Sequence, residues 1–260
     1  MEKSMSSMIE VKNVEKAFGH LKVINDCSFD IEKGSITGMI GPNGAGKSTI
    51  FNIIAGTLPL DSGQIILDGE DVSALTADQL FSKGLLRTFQ IAHEFSQMTA
   101  LENLMMVPPS QLGENIFNTW LKPKQVMAQE LEVRQKAQDV IQYIGLDHVK
   151  NELAGNLSGG QKKLLELGRT MMTEAKVVLL DEVAAGVNRT LLKDLTDNIL
   201  RMNRELGITF LVIEHDMDMI AKLCDPVIVL AQGSVMVEGA IEDIRNNQKV
   251  VEAYFGTDVA

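Results

Sequence analysis

The residues with the clearest chemistry lie at positions 41–49, where the chain reads Gly-Pro-Asn-Gly-Ala-Gly-Lys-Ser-Thr. Glycine permits backbone conformations in which successive N–H groups point inward and surround an anion. The lysine of this pattern reaches the outer phosphates of a nucleotide, and the hydroxyl after it is a ligand for Mg²⁺. The spacing is that of a phosphate-binding P-loop, so Lys47 and Ser48 predict nucleotide binding.

A strand and a helix are predicted on either side of this loop, and both are needed to position it. Residues 35–40 read as an apolar strand, and residues 47–55 read as a helix that ends at Gly56. The N-terminus of such a helix carries a partial positive charge, which adds to the attraction for phosphate. The strand therefore delivers the loop, and the helix completes the anion site.

Two carboxylates follow a second apolar strand. Residues 177–180 are Val-Val-Leu-Leu, typical of a strand buried in a parallel sheet, and Asp181 and Glu182 come directly after them. In α/β folds the carboxyl ends of such strands hold the reacting groups. Because neighbouring side chains on a strand point in opposite directions, we expect Asp181 to hold the metal and Glu182 to orient or deprotonate water. A solvated acidic pair that begins a loop is the competing interpretation.

Three further features have two interpretations each. His215 follows the apolar strand 208–213 and either contacts phosphate at the same sheet edge or is structural. Phe18 precedes Gly19, and its ring either stacks on an adenine or packs inside the sheet. Ser158 and the glycines after it suit the start of a helix over 162–173, with N–H groups facing outward, yet Ser-Gly-Gly is also common in ordinary loops.

The remaining pattern predicts an α/β fold. Short strands are expected at 9–14, 21–24 and 27–31, and Asp68-Gly69 is a two-residue hairpin signal, which indicates a small antiparallel sheet. Strand, P-loop, helix and later apolar strands alternating with helices predict a parallel core. An amphipathic helix is predicted over 133–144 and another over 192–206. The proline-punctuated stretch 107–125, with Trp120, is expected to be a loop that is exposed or covered by a partner.

Composition narrows the class of protein. A chain of 260 residues with 45% apolar residues can bury one large core, and no run of 18 apolar residues could span a bilayer. A net charge of −11 argues against nucleic acid as the main partner. Residues 1–8 lack the apolar region of a signal peptide, and Cys27 and Cys224 lack metal-ligand spacing, so we expect reduced thiols in a cytosolic protein.

Taken together, five motifs in one order resemble the ATP-binding-cassette (ABC) ATPases. They are the P-loop, Gln90, Leu157–Gln161, Val177–Glu182 and His215. The resemblance covers nearly the whole chain and implies a single ABC ATPase domain. Its expected parts are a nucleotide-binding core with an antiparallel β lobe (about 9–90 and 174–240), a helical subdomain with the signature motif (91–173) and a C-terminal tail (241–260).

The resemblance also implies roles for individual residues. It implies that ATP is contacted by Phe18, Gly41, Pro42, Asn43, Gly44, Ala45, Gly46, Lys47, Ser48, Thr49, Ser158, Gly159, Gly160 and Gln161. It implies that Mg²⁺ is held by Ser48, Gln90 and Asp181, and that the catalytic residues are Lys47, Gln90, Glu182 and His215. Residues 185–188 match the D-loop at the dimer interface. Val183 stands where the family usually has proline after the catalytic glutamate.

The resemblance also implies a head-to-tail dimer, homo- or heterodimeric, with ATP sandwiched between the subunits. Each site would be completed by the signature motif of the opposite subunit. The dimer would bind integral membrane permease subunits at the cytoplasmic face of the cell membrane, as a peripheral protein, and would serve a solute-binding protein indirectly.

Within the superfamily, the sequence is similar to the ATPases of branched-chain amino-acid importers. The similarity rests on residues 87–90, 98–104, 213–217, 223–225 and 251–256. An export ATPase of the lipopolysaccharide-transport type and an importer ATPase for urea or amides are the alternatives. A DNA-repair or ribosomal ABC ATPase fits less well, because the cassette is single, uninterrupted and acidic. A non-hydrolysing switch is disfavoured because Glu182 and His215 are both present.

Overall fold

The computed structural model describes residues 6–88 and 94–255, which divide into two compact units. The first unit contains the described residues up to 87, residues 176–184 and those from 196 onward. The second contains the described residues of 88–175 together with 185–195. The predicted division into core, helical subdomain and tail stays a prediction.

Strands of the described residues all lie in the first unit. They are β1 (Ser7–Phe18), β2 (Leu21–Glu32), β3 (Ile36–Ile40), β4 (Ser62–Leu67), β5 (Glu70–Asp71), β6 (Leu85–Arg87), β7 (Val177–Asp181), β8 (Thr209–Ile213), β9 (Val227–Ala231) and β10 (Ser234–Gly239). In the described chain they form an antiparallel sheet of order β2-β1-β4-β5 and a larger sheet of order β10-β9-β3-β8-β7-β6. Only β10 is antiparallel to its neighbour in the larger sheet, which confirms the predicted α/β class.

The apolar runs that the sequence shows are the centre of the larger sheet. Every residue of β3, β7, β8 and β9 is buried. Met39 of β3 and Asp181 of β7 both pair with Ile213 of β8. Because these strands are parallel and in this register, the segments that follow them leave the sheet side by side at its carboxyl edge.

The predicted break between residues 24 and 27 is wrong, and the strand predicted at 9–14 is longer than expected, whereas the predicted hairpin turn is confirmed. β1 and β2 run through Asn13 and Asp26, which have positive φ values of 48° and 49°. Such residues mark bulges, where the strand bends without ending, and Asn13 donates to the Asp26 carboxylate at 2.8 Å. The hairpin turn at Asp68-Gly69 has φ values of 50° and 84°, as expected for a two-residue connection.

Helices of the first unit flank its sheets. They are α1 (Lys47–Ile54), α2 (Ala77–Ser82), most of α7 (Arg189–Leu206), α8 (Met217–Leu223), α9 (Ile241–Arg245) and α10 (Gln248–Phe255). Gly56 follows α1 with φ of 67°, the left-handed conformation predicted for the residue that ends this helix. The buried apolar side chains of α1 join the core of the two sheets.

The second unit is helical. It contains α3 (Ala100–Met105), α4 (Ile116–Leu121), α5 (Pro123–Tyr143) and α6 (Gly159–Met171). The predicted amphipathic face of α5 is confirmed, since Ala137, Val140 and Ile141 are buried. The expected loop at 107–125 is wrong, because a 3-10 turn, α4 and the start of α5 lie within it. In the part of the chain that the structure describes, no helix is long and apolar enough to cross a bilayer.

Candidate functional site

The P-loop leaves β3 and enters α1 through glycines that have no room for a side chain. Gly41 and Gly46 have φ values of 155° and 101°. A Cβ on Gly41 would overlap the carbonyl oxygen of Leu230, and one on Gly46 would lie 2.7 Å from Ile24 Cδ1. The loop is also held by the β9–β10 turn, because Gly233 N donates to Ala45 O at 3.0 Å. These contacts fix a backbone whose N–H groups can face an anion.

Lys47 is buried at the start of α1, with its ammonium turned back into the loop. Its Nζ donates to Gly41 O at 2.7 Å and to Pro42 O at 3.1 Å. Burial lowers the pKa of this ammonium, while the carboxylates of Glu182 and Asp181 oppose that shift. The register of β3, β8 and β7 brings the segments that carry Lys47, Asp181 and Glu182 to the same edge of the sheet.

Asp181 ends β7 and forms an ion pair with Arg87, a contact that the sequence analysis did not predict. Arg87, the last residue of β6, donates from Nη2 to one Asp181 carboxylate oxygen at 2.8 Å. Its Nη1 donates to the side chain of Asn52 on α1, and its guanidinium lies 5.9 Å from the ring centre of Phe51. The carboxylate is therefore oriented by the neighbouring strand and tied to the helix that follows the P-loop.

Glu182 and His215 come together at the same edge of the sheet. His215 Nε2 lies 3.1 Å from Glu182 Oε1, and both side chains are partly exposed to solvent. Glu182 has a positive φ of 50°, and its N–H donates to Ile213 O at 2.9 Å. This left-handed backbone is uncommon for glutamate. The strand register thus supplies a carboxylate and an imidazole in contact beside the P-loop.

Glu214 is a site residue that the sequence reasoning missed. Its side chain is buried, Oε1 accepts from Ala184 N at 2.7 Å, and Oε2 accepts from His215 N at 3.2 Å. Burial raises the pKa of this carboxyl, although the two N–H donors act in the opposite direction. The available signal was a charged residue directly after a strand of five buried residues. Glu214 joins the chain after Glu182 to the backbone of His215.

Phe18 lies at the end of β1 with 51% of its surface exposed, so it is not packed inside the sheet. Lys16 Nζ lies 5.8 Å from its ring centre. Asp61 holds this lysine at 2.6 Å and accepts from Ala17 N at 2.7 Å, and these bonds lower the pKa of the Asp61 carboxyl. The ring is therefore an exposed flat surface on an anchored strand end, which can stack on a base.

The signature segment lies in the second unit. Ser158 is the N-cap of α6, where its hydroxyl accepts from Gln161 N at 3.3 Å and Gln161 Oε1 accepts from Ser158 N at 2.9 Å. Ser158 and Gly159 are exposed. A Cβ on Gly160 would meet Leu191, whereas one on Gly159 would meet nothing within 4 Å. The expected N-cap is confirmed, and α6 begins earlier than predicted.

Among the other predicted site residues, Gln90 lies outside the described residues. Residues 185–188 precede α7, and Asn188 caps this helix by accepting from Leu191 N at 3.0 Å. Val183, at the position where the family usually has proline, is buried.

The donor set suits a metal that binds few protein atoms. Ser48 offers an exposed hydroxyl and Asp181 a carboxylate oxygen. Within residues 6–88 and 94–255 no group of three or more His, Cys, Asp or Glu could hold a metal ion. Mg²⁺ is usually bound through one or two protein oxygens, with phosphates and water completing its shell. The residues present fit such an ion.

The chain is similar, in sequence and in structure, to proteins of one family. The family described as ABC transporter matches residues 24–185. The chain is 40% identical to a probable branched-chain amino acid transport ATP-binding protein, LivG, of Archaeoglobus fulgidus, over 96% of this chain and 95% of that protein. It is 36% identical to the high-affinity branched-chain amino acid transport ATP-binding protein BraF of Pseudomonas aeruginosa, over 96% and 98%. A crystal structure of the ADP conformation of an ATP-binding cassette of an ABC transporter is similar with a TM-score of 0.81 and 34% identity, over 96% of this chain and 99% of that one.

Proposed function

Because the chain belongs to the ABC transporter family, we propose that it is the ATP-binding and ATP-hydrolysing subunit of a membrane importer for branched-chain or related amino acids. The observation that carries hydrolysis is the contact between Glu182 and His215 at the sheet edge beside the P-loop. The transported solute is proposed from the names of relatives that match almost the full chain. The same names favour import over the lipopolysaccharide-type export alternative.

The P-loop binds the phosphates of ATP in this proposal. Backbone N–H groups between Gly41 and Thr49 surround the phosphate oxygens, and Lys47 exchanges a loop carbonyl for a phosphate oxygen. Phe18 stacks on the adenine. Glu182 accepts a proton from the attacking water or orients it, and His215 holds this carboxylate while contacting the terminal phosphate.

The proposed metal ligands are Ser48 and Asp181, together with Gln90. Bound Mg²⁺ would offset the negative charge of the phosphate oxygens during transfer to water. Arg87 holds Asp181 from the side of β6, so the carboxylate is oriented before any ion binds. Glu214 fixes the chain after Glu182 and the backbone of His215, which keeps the base and the imidazole in register.

We also propose that the working form is a head-to-tail dimer, homo- or heterodimeric. In it, Ser158, Gly159, Gly160 and Gln161 of one subunit contact the ATP held by the P-loop of the other. The exposure of Ser158 and Gly159 supports this, because a helix N-terminus with exposed N–H groups attracts phosphate. The dimer binds permease subunits at the cytoplasmic face of the membrane, and a solute-binding protein acts through them.

Reconstitution tests this function. The ATPase rate is measured with the cognate permease subunits in vesicles, with and without the binding protein loaded with leucine, and again with urea or an amide. We expect leucine-loaded binding protein to raise the rate. If only urea or amides stimulate the ATPase, the proposed solute is wrong. If no loaded binding protein stimulates it, the importer assignment is wrong.

A further inference from the structure

Helix α4 in the second unit presents apolar side chains to solvent. Ile116, Phe117, Trp120 and Leu121 are exposed by 83%, 72%, 82% and 67%, and we call these four residues the apolar tip. Asn118 of the same helix is half-buried. In the usual amphipathic helix the apolar side chains face the protein, whereas here all four face water.

Hydrogen bonds hold the apolar tip in this orientation. The Asn115 side chain accepts from Phe117 N at 2.9 Å, and Thr119 Oγ1 donates to Asn115 O at 3.2 Å. Just before α4, Leu112 N donates to the Gln129 side chain of α5 at 2.6 Å, and Gln129 Nε2 donates to Ser110 O at 3.4 Å. The segment is thus anchored to α5, and these hydrogen bonds hold its apolar side chains in their exposed position.

The composition of the tip favours a lipid surface. Its four apolar side chains lie within six consecutive residues of one short helix. Trp and Phe on a short helix are typical of segments that lie at the boundary between headgroups and acyl chains, where apolar faces are buried and nearby polar groups stay hydrated.

Charge points to the same partner. Lys122 and Lys124 directly follow the tip and are exposed, and residues 107–125 contain these two lysines and one acidic residue, Glu114. This stretch is therefore net positive in a chain of net charge −11. Basic residues beside an interfacial segment are attracted to anionic lipid headgroups.

We propose that the apolar tip inserts into the headgroup region of a membrane that contains anionic lipid, with Lys122 and Lys124 on the headgroups. The proposal rests on the proposed function for its setting, since an importer ATPase works beside a bilayer. It adds a direct lipid contact to the attachment through the permease.

Trp120 is the single tryptophan of the chain, so its fluorescence reports on the tip directly. The full chain is mixed with phosphatidylcholine vesicles that contain or lack phosphatidylglycerol, without permease. We expect a blue shift of the emission and quenching by brominated acyl chains with the anionic vesicles, and weaker changes with neutral ones. Unchanged emission, together with no flotation of the chain with vesicles, would overturn the proposal.

Matched variants locate the effect. The double variant Ile116→Ser/Phe117→Ser keeps the reporter and should lower vesicle affinity by about tenfold or more, from the lost apolar burial. Lys122→Glu/Lys124→Glu should lower it by roughly tenfold or more. Lys222→Glu/Lys249→Glu changes the net charge by the same amount at exposed sites in the first unit, and it should leave the vesicle affinity nearly unchanged. An equal loss in that control would overturn the assignment to the tip.

Further readouts separate the competing partners and the proposed function. Circular dichroism and the vesicle-free ATPase rate should be unaltered in all three variants. A blue shift that needs detergent-solubilised permease, or that appears at high protein concentration without vesicles, would replace lipid by a protein partner or a second copy and so overturn the proposal. A chain that binds vesicles but never hydrolyses ATP would contradict only the proposed function.

Discussion

The chemistry of the candidate site depends on side chains that follow different strands of one sheet. Lys47 follows β3, Glu182 follows β7 and His215 follows β8, and the last two are in contact at 3.1 Å. Each residue is ordinary by itself. Their combination at one edge is what supports a hydrolytic role, because a base must be held close to the bound phosphate.

Glu182→Gln tests the general base. The amide is nearly the same size but cannot accept a proton, so ATP binding should be retained while the hydrolysis rate falls roughly a hundredfold or more. The measurements are nucleotide affinity by equilibrium binding and phosphate release at saturating ATP. Glu132→Gln, at an exposed position of α5, is the matched control and should behave as the unmodified chain. Hydrolysis at the native rate in Glu182→Gln would remove this residue from the mechanism.

Glu214→Gln tests the buried carboxylate behind the site. Two N–H donors converge on Glu214, and glutamine offers one acceptor oxygen, so either Ala184 N or His215 N loses its partner. An unsatisfied buried donor costs about 1–3 kcal/mol, and we expect the hydrolysis rate to fall on the order of tenfold with little change in ATP affinity. A fall in affinity with an unchanged maximal rate would contradict a role in positioning His215.

The same variant changes the pH dependence of stability. The pKa of Glu214 is raised above its ordinary value of 4.5 in the folded chain, so its proton is bound more tightly there than in the unfolded chain. Its contribution to stability is then fully present below pH 4.5 and is lost as pH rises through the folded pKa. We expect the free energy of unfolding of the unmodified chain, minus that of Glu214→Gln, to fall over this interval. Urea titrations at several pH values measure it, and a difference that rises with pH would refute the assignment.

Two adjacent glycines at the start of α6 differ in whether the packing leaves room for a side chain. Gly160→Ala places a Cβ 2.9 Å from Leu191 Cβ and 3.0 Å from Leu191 Cγ, so it should destabilise the chain by about 1–3 kcal/mol through overpacking. Gly159→Ala meets open space and should leave the stability unchanged or slightly raised, because alanine favours the helix. Thermal unfolding of the pair measures both. Equal melting temperatures would show that α6 shifts away from Leu191 at little cost.

For the whole molecule, the central prediction is that one ATP site needs two chains. Lys47→Ala disables the P-loop, and Ser158→Arg disables the signature segment, so each variant alone should be inactive. In a head-to-tail dimer of one of each, one site keeps both intact parts. An equal mixture should recover up to about a quarter of the native rate, since half of the dimers are mixed and each has one of two sites intact.

The outcome of this mixing experiment separates two arrangements. Recovery of activity supports sites shared between subunits. No recovery, with mixed dimers present by chemical cross-linking, would mean that each chain completes its own site.

Much of the fold was predictable because the relevant signals are local. The apolar runs of β7 and β8, the glycine turn after α1 and the Asp68-Gly69 hairpin follow from hydrophobic pattern and backbone preference. The local rules failed at Asp26, where a break between two strands is expected. There, β2 continues through a residue with positive φ, because pairing with β1 outweighs the turn preference of that residue.

The sequence by itself determined the P-loop, the order of the motifs and the carboxylates at strand ends, because residue type and spacing decide these features locally. Only the tertiary structure decided that Arg87 holds Asp181, that Glu214 bridges Ala184 and His215, and that the α4 helix faces solvent. Those contacts join residues far apart in the chain, or depend on what packs against a helix. Strand register and the packing of neighbouring elements set them, and no short stretch of sequence contains that information.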